Sequence, residues 1–360
     1  MTYIHGCNYP WSTDGRTIFY GLDFGANIWG SHLGVSTRRA AVAADFAIMA
    51  SLGFTAVRWF MFADGRSGIV YDDRGLPAGL DSHVFTDLDA ALEMARDVGI
   101  RLVLVLLDHR WMFEGVKDTF ADPVAGVVLE ARLPEGRART LHSTSGRKAL
   151  LGSVIAPIVR RYGRSGVRSD LDGTILAYEL MNEPDWIIEE WERDVSSHVA
   201  LPLPFASLAE LVADLSQVVH ESSSALTTIA AARLHNLWAW DDASLGLDFL
   251  QLHTYPDRRR PKVDTDVFGT AAYALGVRHP VVLGEFPGSG PEQHPPDVEP
   301  PPTTTELYLE FAVQGGYAGA WPWSFSGTDA YGRVPADPLH AFALRHPTLV
   351  NPRATAVLAR

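Results

Sequence analysis

Two glutamates stand where they could do proton transfer and nucleophilic chemistry together. Glu183 closes an apolar run, Thr174 to Met181, in the stretch Ala177-Tyr178-Glu179-Leu180-Met181-Asn182-Glu183-Pro184. Glu285 closes a second run, Val281-Val282-Leu283-Gly284-Glu285-Phe286-Pro287, 102 residues further on. A near-continuous apolar run marks a strand buried on both faces of a parallel sheet. The proline that follows cannot donate to a ladder. Both carboxylates therefore sit at the carboxyl ends of buried strands, and in a parallel barrel those ends converge on one face. Two carboxylates there supply what cleavage of a glycosidic bond requires: a proton for the leaving oxygen and attack at the sugar carbon. Either glutamate alone is equally compatible with a solvated loop residue. The pairing, with polar residues at the other strand ends, is what points to chemistry.

The elements that must position them follow from periodicity. Apolar strands are predicted at Tyr3 to Asn8, Phe54 to Phe60, Arg101 to Leu107, Thr174 to Met181, Leu226 to Ala232, Asp248 to His253, the Glu285 run, and Gly319 to Ser324. Between them lie amphipathic helices. One runs from Ser36-Thr37 to Leu52 and stops at Gly53; another runs from Val84 to Val98 and stops at Gly99. A third opens at Ser143 or Thr144 and runs to Tyr162, and Ser207-Leu208-Ala209-Glu210 reads as a capping box for a fourth that ends near Ser222. Weaker helices are expected over 264–276 and 337–345, and Thr303-Thr304-Thr305-Glu306 opens one that ends near Gln314. Stretches 12–35, 114–141 and the proline-rich 287–302 read as long loops, and long loops are usually functional. Eight strands alternating with helices in 360 residues favour a closed (β/α)8 barrel as one domain spanning 1–360.

The strand ends, taken as a set, offer Asn8, Arg58, Asp108-His109, Asn182-Glu183, His253 and Tyr255, Glu285, and Trp321 or Trp323. At this point the chain resembles the retaining (β/α)8 glycosidases of clan A, and most closely glycoside hydrolase family five, the cellulase and mannanase family. That family carries, in order, an Arg, a His, Asn-Glu-Pro, His-x-Tyr, a second Glu and a Trp. Arg58, His109, Asn182-Glu183-Pro184, His253-Thr254-Tyr255, Glu285 and Trp323 match over nearly the whole chain. The resemblance implies that Glu183 is the acid/base and Glu285 the nucleophile. Glu183 is then expected to have a raised pKa and Glu285 to stay ionised beside Arg58 and the Tyr255 hydroxyl. Asn182 would bond the sugar 2-hydroxyl, His253 would orient Glu183 or Tyr255, and His109, Asn8 and Trp186 would line the substrate site. Several of the 10 tryptophans follow strand ends (Trp11, Trp111, Trp186, Trp238, Trp323), where an indole can stack on a sugar face. Trp323 is the preferred platform, with Trp59 and Trp321 assigned to packing.

Bulk properties narrow the alternatives. A net charge of −13 argues against nucleic acid and anionic membranes as partners. The single cysteine, Cys7, excludes an internal disulfide framework and reads as a buried thiol. No glycine-rich phosphate loop, dinucleotide fingerprint or His-Glu-x-x-His pair occurs, so neither cofactor nor metal is expected. The amino-terminal residues lack a signal-peptide pattern, and cytoplasmic location with a small oligosaccharide or glycoside substrate is the expectation. The long loops suggest a blocked cleft and exo action on β-linked gluco- or manno-configured sugars. Two other classes remain open: a non-catalytic carbohydrate-binding barrel, and a metal-dependent hydrolase using Asp108, His109, His253 and Asp257.

Overall fold

The structure is a computed structural model and describes residues 2–15, 17–121, 128–255, 270–288, 304–328 and 332–354, with the side chains of 117–131 left aside. Eight parallel strands close a barrel: β1 (Ile4–Asn8), β2 (Ala56–Phe60), β3 (Arg101–Val105), β4 (Ile175–Asn182), β5 (Leu226–Ala231), β6 (Phe249–His253), β7 (Val281–Pro287) and β8 (Gly319–Trp323). Their order around the barrel is sequential, with β1 hydrogen-bonded to both β2 and β8. Every predicted strand is present, within one to two residues at each end. The runs are apolar because both faces are covered: alternate residues face the barrel interior, and the others face the helical layer.

Inside the barrel Trp321 fills the space beside Phe249. A Cβ on Gly6 would stand 2.6 Å from its indole ring, so that position has room only for hydrogen. Outside, Trp59 packs among Tyr9, Phe24 and Phe46. Both tryptophans thus sit in the core, as assigned, and Cys7 is buried there as a free thiol.

The helix over Val84–Val98 has its predicted bounds, ended by Gly99 in the left-handed region (φ 73). Arg39–Ser51 begins later than expected, because Val35–Arg38 forms a 3-10 turn first. There the Ser36 amide and hydroxyl both donate to the buried Asp87 carboxylate, which anchors the 12–35 loop to the next helix. Residues 144–162 form one helical run, capped by Ser143 and interrupted by a π turn at Leu151–Ile155. The Ser207 capping box is not used: the helix starts at Phe205 after Pro204, and Glu210 pairs with Arg147.

Two loops also hold structure that periodicity did not show. Ile69–Tyr71 pairs antiparallel with Pro77–Leu80, and Lys117–Ala121 with Val128–Arg132, so the described part of 114–141 holds a pair of antiparallel strands and then a short helix, Gly136–Thr140. These segments are too short for a periodic signal. Of the helix expected over 264–276, the described part is a 3-10 turn, Ala272–Leu275; most of 287–302 lies outside the described residues. Among the described residues no helix is long and apolar enough to cross a membrane.

Candidate active site

Strand register gathers the polar residues. Asn8 lies beside Arg58, Val105 beside Glu179, and His253 beside Glu285, while Asp108 bridges to Asn182 past the end of β3. Arg58 is at the centre. Its side chain has no exposed surface, and all five of its N–H donors are used. Nε and Nη2 hold the two oxygens of Glu179 at 2.6 and 2.5 Å. The second Nη2 bond goes to Asn182 Oδ1 at 2.7 Å. Nη1 donates to Asn8 Oδ1 at 2.9 Å and to Glu285 Oε1 at 2.6 Å. The Tyr255 hydroxyl donates to the other oxygen of Glu285 at 2.7 Å.

Glu183 faces Glu285 across this centre. It adopts φ 48 and ψ 53, a left-handed conformation that costs a non-glycine residue roughly 1–2 kcal/mol and turns its side chain off the strand path. Trp186 Nε1 donates to Glu183 Oε2 at 2.9 Å, and His253 Nδ1 lies 2.9 Å from Glu183 Oε1. The same His253 nitrogen is 3.4 Å from Glu285 Oε1. One oxygen from each glutamate and a ring nitrogen of His253 fall within 4.8 Å of one another. Glu183 retains 16% side-chain exposure against 6% for Glu285, so the former is the more open to the cleft.

The electrostatics reverse one expectation. Burial pushes the Glu183 carboxyl up, but the His253 hydrogen bond, the His253 and His109 charges and the Trp186 N–H outweigh it, holding the pKa down at about 2. Burial pushes Glu285 up, and Glu183 adds to this. His253, Arg58 and Tyr255 oppose it without cancelling it, so Glu285 is raised. Burial alone would lower His253, yet Glu285 and Glu183 raise it. A raised Glu183 and an easily ionised Glu285 were expected; instead Glu183 is lowered, and Glu285 and His253 are both raised. The expectation omitted the imidazole placed between the carboxylates.

Other expected site residues divide into those at the cleft and those behind it. Asn182 Nδ2 donates to Asp108 Oδ2 at 2.7 Å, which fixes the amide orientation. His109 Nδ1 lies 3.9 Å from Glu183 Oε2, and its ring lies 6.2 Å from that of Trp186. Trp323 packs with Phe60, Val105, Trp11 and Tyr255 at the barrel mouth. Asn8 is a brace rather than a cleft residue: it is fully buried, and its Nδ2 donates to the carbonyls of Gly284, Trp321 and Pro322. Arg58 likewise has no donor left for a substrate.

Trp111 is buried, with its Nε1 on the Arg137 carbonyl, and Trp238 is 67% exposed on a 3-10 segment after β5. Burial removes Trp111 from the candidate platforms. Sequence reasoning missed Glu179 and Gln251, whose Nε2 donates to Glu179 at 2.7 Å. The signal was present: a glutamate and a glutamine inside otherwise apolar strands must have buried partners.

A cation fits poorly here. Glu183, His253 and Glu285 have ligand spacing, but the guanidinium of Arg58 lies on Glu285 and would repel a metal ion. Asp108 is engaged by Asn182 and by the Arg110 amide, and Asp257 lies outside the described residues.

A closed barrel of eight parallel strands, carrying two facing strand-end carboxylates and the ordered Arg, His, Asn, His-x-Tyr and Trp set, resembles the family-five glycoside hydrolases in fold and in site pattern. Comparison with known proteins agrees. No protein-family model matches the chain. It is similar to mannan endo-1,4-beta-mannosidase 1 of Oryza sativa subsp. japonica, 25% identical over 233 residues, covering 62% of this chain and 52% of that protein. It is also similar to the mannan endo-1,4-beta-mannosidase of Mytilus edulis, 22% identical over 344 residues, with 89% and 83% covered. The chain spans about half the length of the rice relatives it matches. The fold matches that of the beta-1,4-D-mannanase of Cryptopygus antarcticus, with a TM-score of 0.69 and 17% identity, over 94% of this chain and 88% of that one.

Proposed function

We propose that the protein is a retaining β-glycoside hydrolase of β-linked mannose-containing chains. The observation that carries the reading is the pair Glu183 and Glu285. Their nearest oxygens are within 4.8 Å, and Glu285 is held from two sides by Arg58 and Tyr255. Oxygens that near one another favour the retaining arrangement, with carboxyls roughly 5–5.5 Å apart, over the inverting one at about 6.5–9.5 Å.

In this reading Glu285 Oε1 or Oε2 attacks the anomeric carbon, and Glu183 protonates the departing oxygen. His253 Nδ1, 2.9 Å from Glu183 Oε1, is placed to exchange a proton with Glu183, which delivers its own to the leaving group. Glu183 then takes a proton from water as the glycosyl–Glu285 ester is hydrolysed. Asn182 has its Oδ1 held by Arg58 and one Nδ2 hydrogen by Asp108, which aims the second hydrogen at a sugar 2-hydroxyl. Trp323 offers a face for the sugar ring. A non-catalytic binder would gain nothing from a buried guanidinium directed at one carboxylate, because an apolar wall would stack sugars without the desolvation cost.

Mannan is favoured over cellulosic chains by the names of the relatives. Those names also favour cleavage within chains over the exo action that the long loops suggested. The deciding experiment is hydrolysis of mannohexaose and of aryl β-mannosides and β-glucosides, with the first-formed product anomer read by proton NMR. β-Anomer product from a mannoside is expected. α-Anomer product, or turnover of glucosides only, overturns the assignment.

A further inference from the structure

Resting on that reading, the structure assigns a role to a residue that the chemistry does not touch. We propose that Glu179, buried beneath the site, is a positioning residue that sets both the orientation of Arg58 and the proton affinity of Glu285. Glu179 lies on β4, four residues before Glu183, and is wholly buried. Its two oxygens take the Nε and Nη2 edge of Arg58 in a bidentate pair, the strongest geometry a guanidinium offers. With that edge held, the remaining hydrogens can point only toward Asn182, Asn8 and Glu285, as they do. Gln251 on β6 fixes Glu179 from the other side.

The consequence is electrostatic as well as geometric. One guanidinium faces two buried carboxylates. Glu179 takes two of its hydrogen bonds, and Glu285 takes one. The Arg58 charge is therefore largely answered by Glu179, and Glu285 keeps more basicity than it would beside an unshared arginine. A nucleophile needs that basicity, and a triad that must retain one proton needs it too. The titratable and charged groups acting on Glu285 are Arg58 from β2, Glu183 after β4, and His253 and Tyr255 at the end of β6, with Glu179 on β4 reaching it through Arg58. Of these, Glu179 can be neutralised without touching the cleft.

Two variants with opposite expected signs test this. Glu179→Gln removes the competing charge, so Glu285 should titrate lower by about one pH unit, and the acidic limb of the kcat/KM profile should follow. Gln251→Leu removes a donor from Glu179, strengthens its hold on Arg58, and should move both upward by a smaller amount. Each is read by carbon-13 NMR titration of protein labelled at the glutamate carboxyls, assigned with Glu285→Gln and Glu183→Gln. That titration needs no substrate. If wild-type protein cleaves no β-mannoside, the functional reading falls, while the NMR shifts still decide the role of Glu179. If Glu179→Gln does not fold, Gln251→Leu decides alone. Titrations unmoved in the folded variants, whatever their loss of Tm, would make Glu179 merely structural and overturn the proposal.

Discussion

Arg58→Lys separates an arginine that serves chemistry from one that only holds the barrel together. Lysine keeps the positive charge and carries three donors on a single nitrogen, whereas Arg58 uses five donors spread across a plane. A lysine ammonium drawn to the two oxygens of Glu179 cannot also reach Glu285, so the 2.6 Å bond to Glu285 is the one expected to go. A hydrogen bond to a charged group contributes about 1.5–3 kcal/mol. At about 1.36 kcal/mol per tenfold, its loss in the glycosylation transition state predicts a fall of roughly 10- to 150-fold in kcat/KM. The assay is hydrolysis of a dinitrophenyl β-mannoside, where attack by Glu285 is tested without help from the acid. Urea unfolding is measured alongside, because removing the side chain altogether, as in Arg58→Ala, leaves buried carboxylates unpaired at a cost of about 3–5 kcal/mol. A lysine variant that unfolds earlier yet keeps wild-type kcat/KM would refute the argument and return Arg58 to a structural ion pair.

Four further outcomes are expected. Glu183→Ala should still form the glycosyl-enzyme on a dinitrophenyl mannoside and be rescued by azide to a β-azide, whereas Glu285→Ala should yield the α-azide if any; the reverse pattern swaps the two roles. Trp186→Phe removes an N–H from Glu183 Oε2, so the Glu183 pKa should rise by about 1–2 units, seen in the same NMR titration; an unchanged value would show that the 2.9 Å bond is electrostatically idle. Viscosity of soluble mannan should fall before reducing ends accumulate, as cleavage within chains requires; parallel changes would restore exo action. The depressed Glu183 pKa stabilises the fold above about 4.3 and that contribution is lost as pH falls toward 2, while the raised Glu285 and His253 pKa values stabilise below about 4.3 and about 6.5 and are lost as pH rises through each folded value, so Tm should fall on the alkaline side and His253→Gln should flatten that fall.

The barrel was legible because its strands are buried on both faces. A run such as Arg101–Val105 has no competing interpretation once helices flank it. The two glutamates were legible for the same reason, since a carboxylate at the end of such a run stands out. What sequence could not show was side-chain geometry within the barrel. Asn8 and Arg58 fall at strand ends like cleft residues, yet register turns both inward, where each spends its donors on the protein. Trp111 follows a strand end as Trp323 does, but the 3-10 turn His109–Met112 rotates it into the core. The two antiparallel strand pairs escaped because three- to five-residue strands leave too few positions for a period of two to register.

The proton balance of the site follows from the same buried geometry. Glu179, Glu183 and Glu285 form one hydrogen-bonded chain with Arg58 and His253, so three carboxyl groups share a single permanent cation. Water reaches this chain mainly at Glu183, and elsewhere the low dielectric magnifies each charge. A chain so short of positive charge gains by binding a proton, and His253 is the base placed between the two carboxylates that most need it. This explains why His253 and Glu285 both move up while Glu183, with N–H groups on both of its oxygens, moves down. In the proposed mechanism a sugar entering over Trp323 would exclude water from Glu183 and remove part of the stabilisation of its charge. The 2.9 Å contact with His253 would then let a proton move onto the carboxylate as the leaving oxygen arrives. On the proposed mechanism the acid is armed by substrate rather than held protonated in the empty site, and mutations at His253 should cost most on substrates whose leaving groups need a proton.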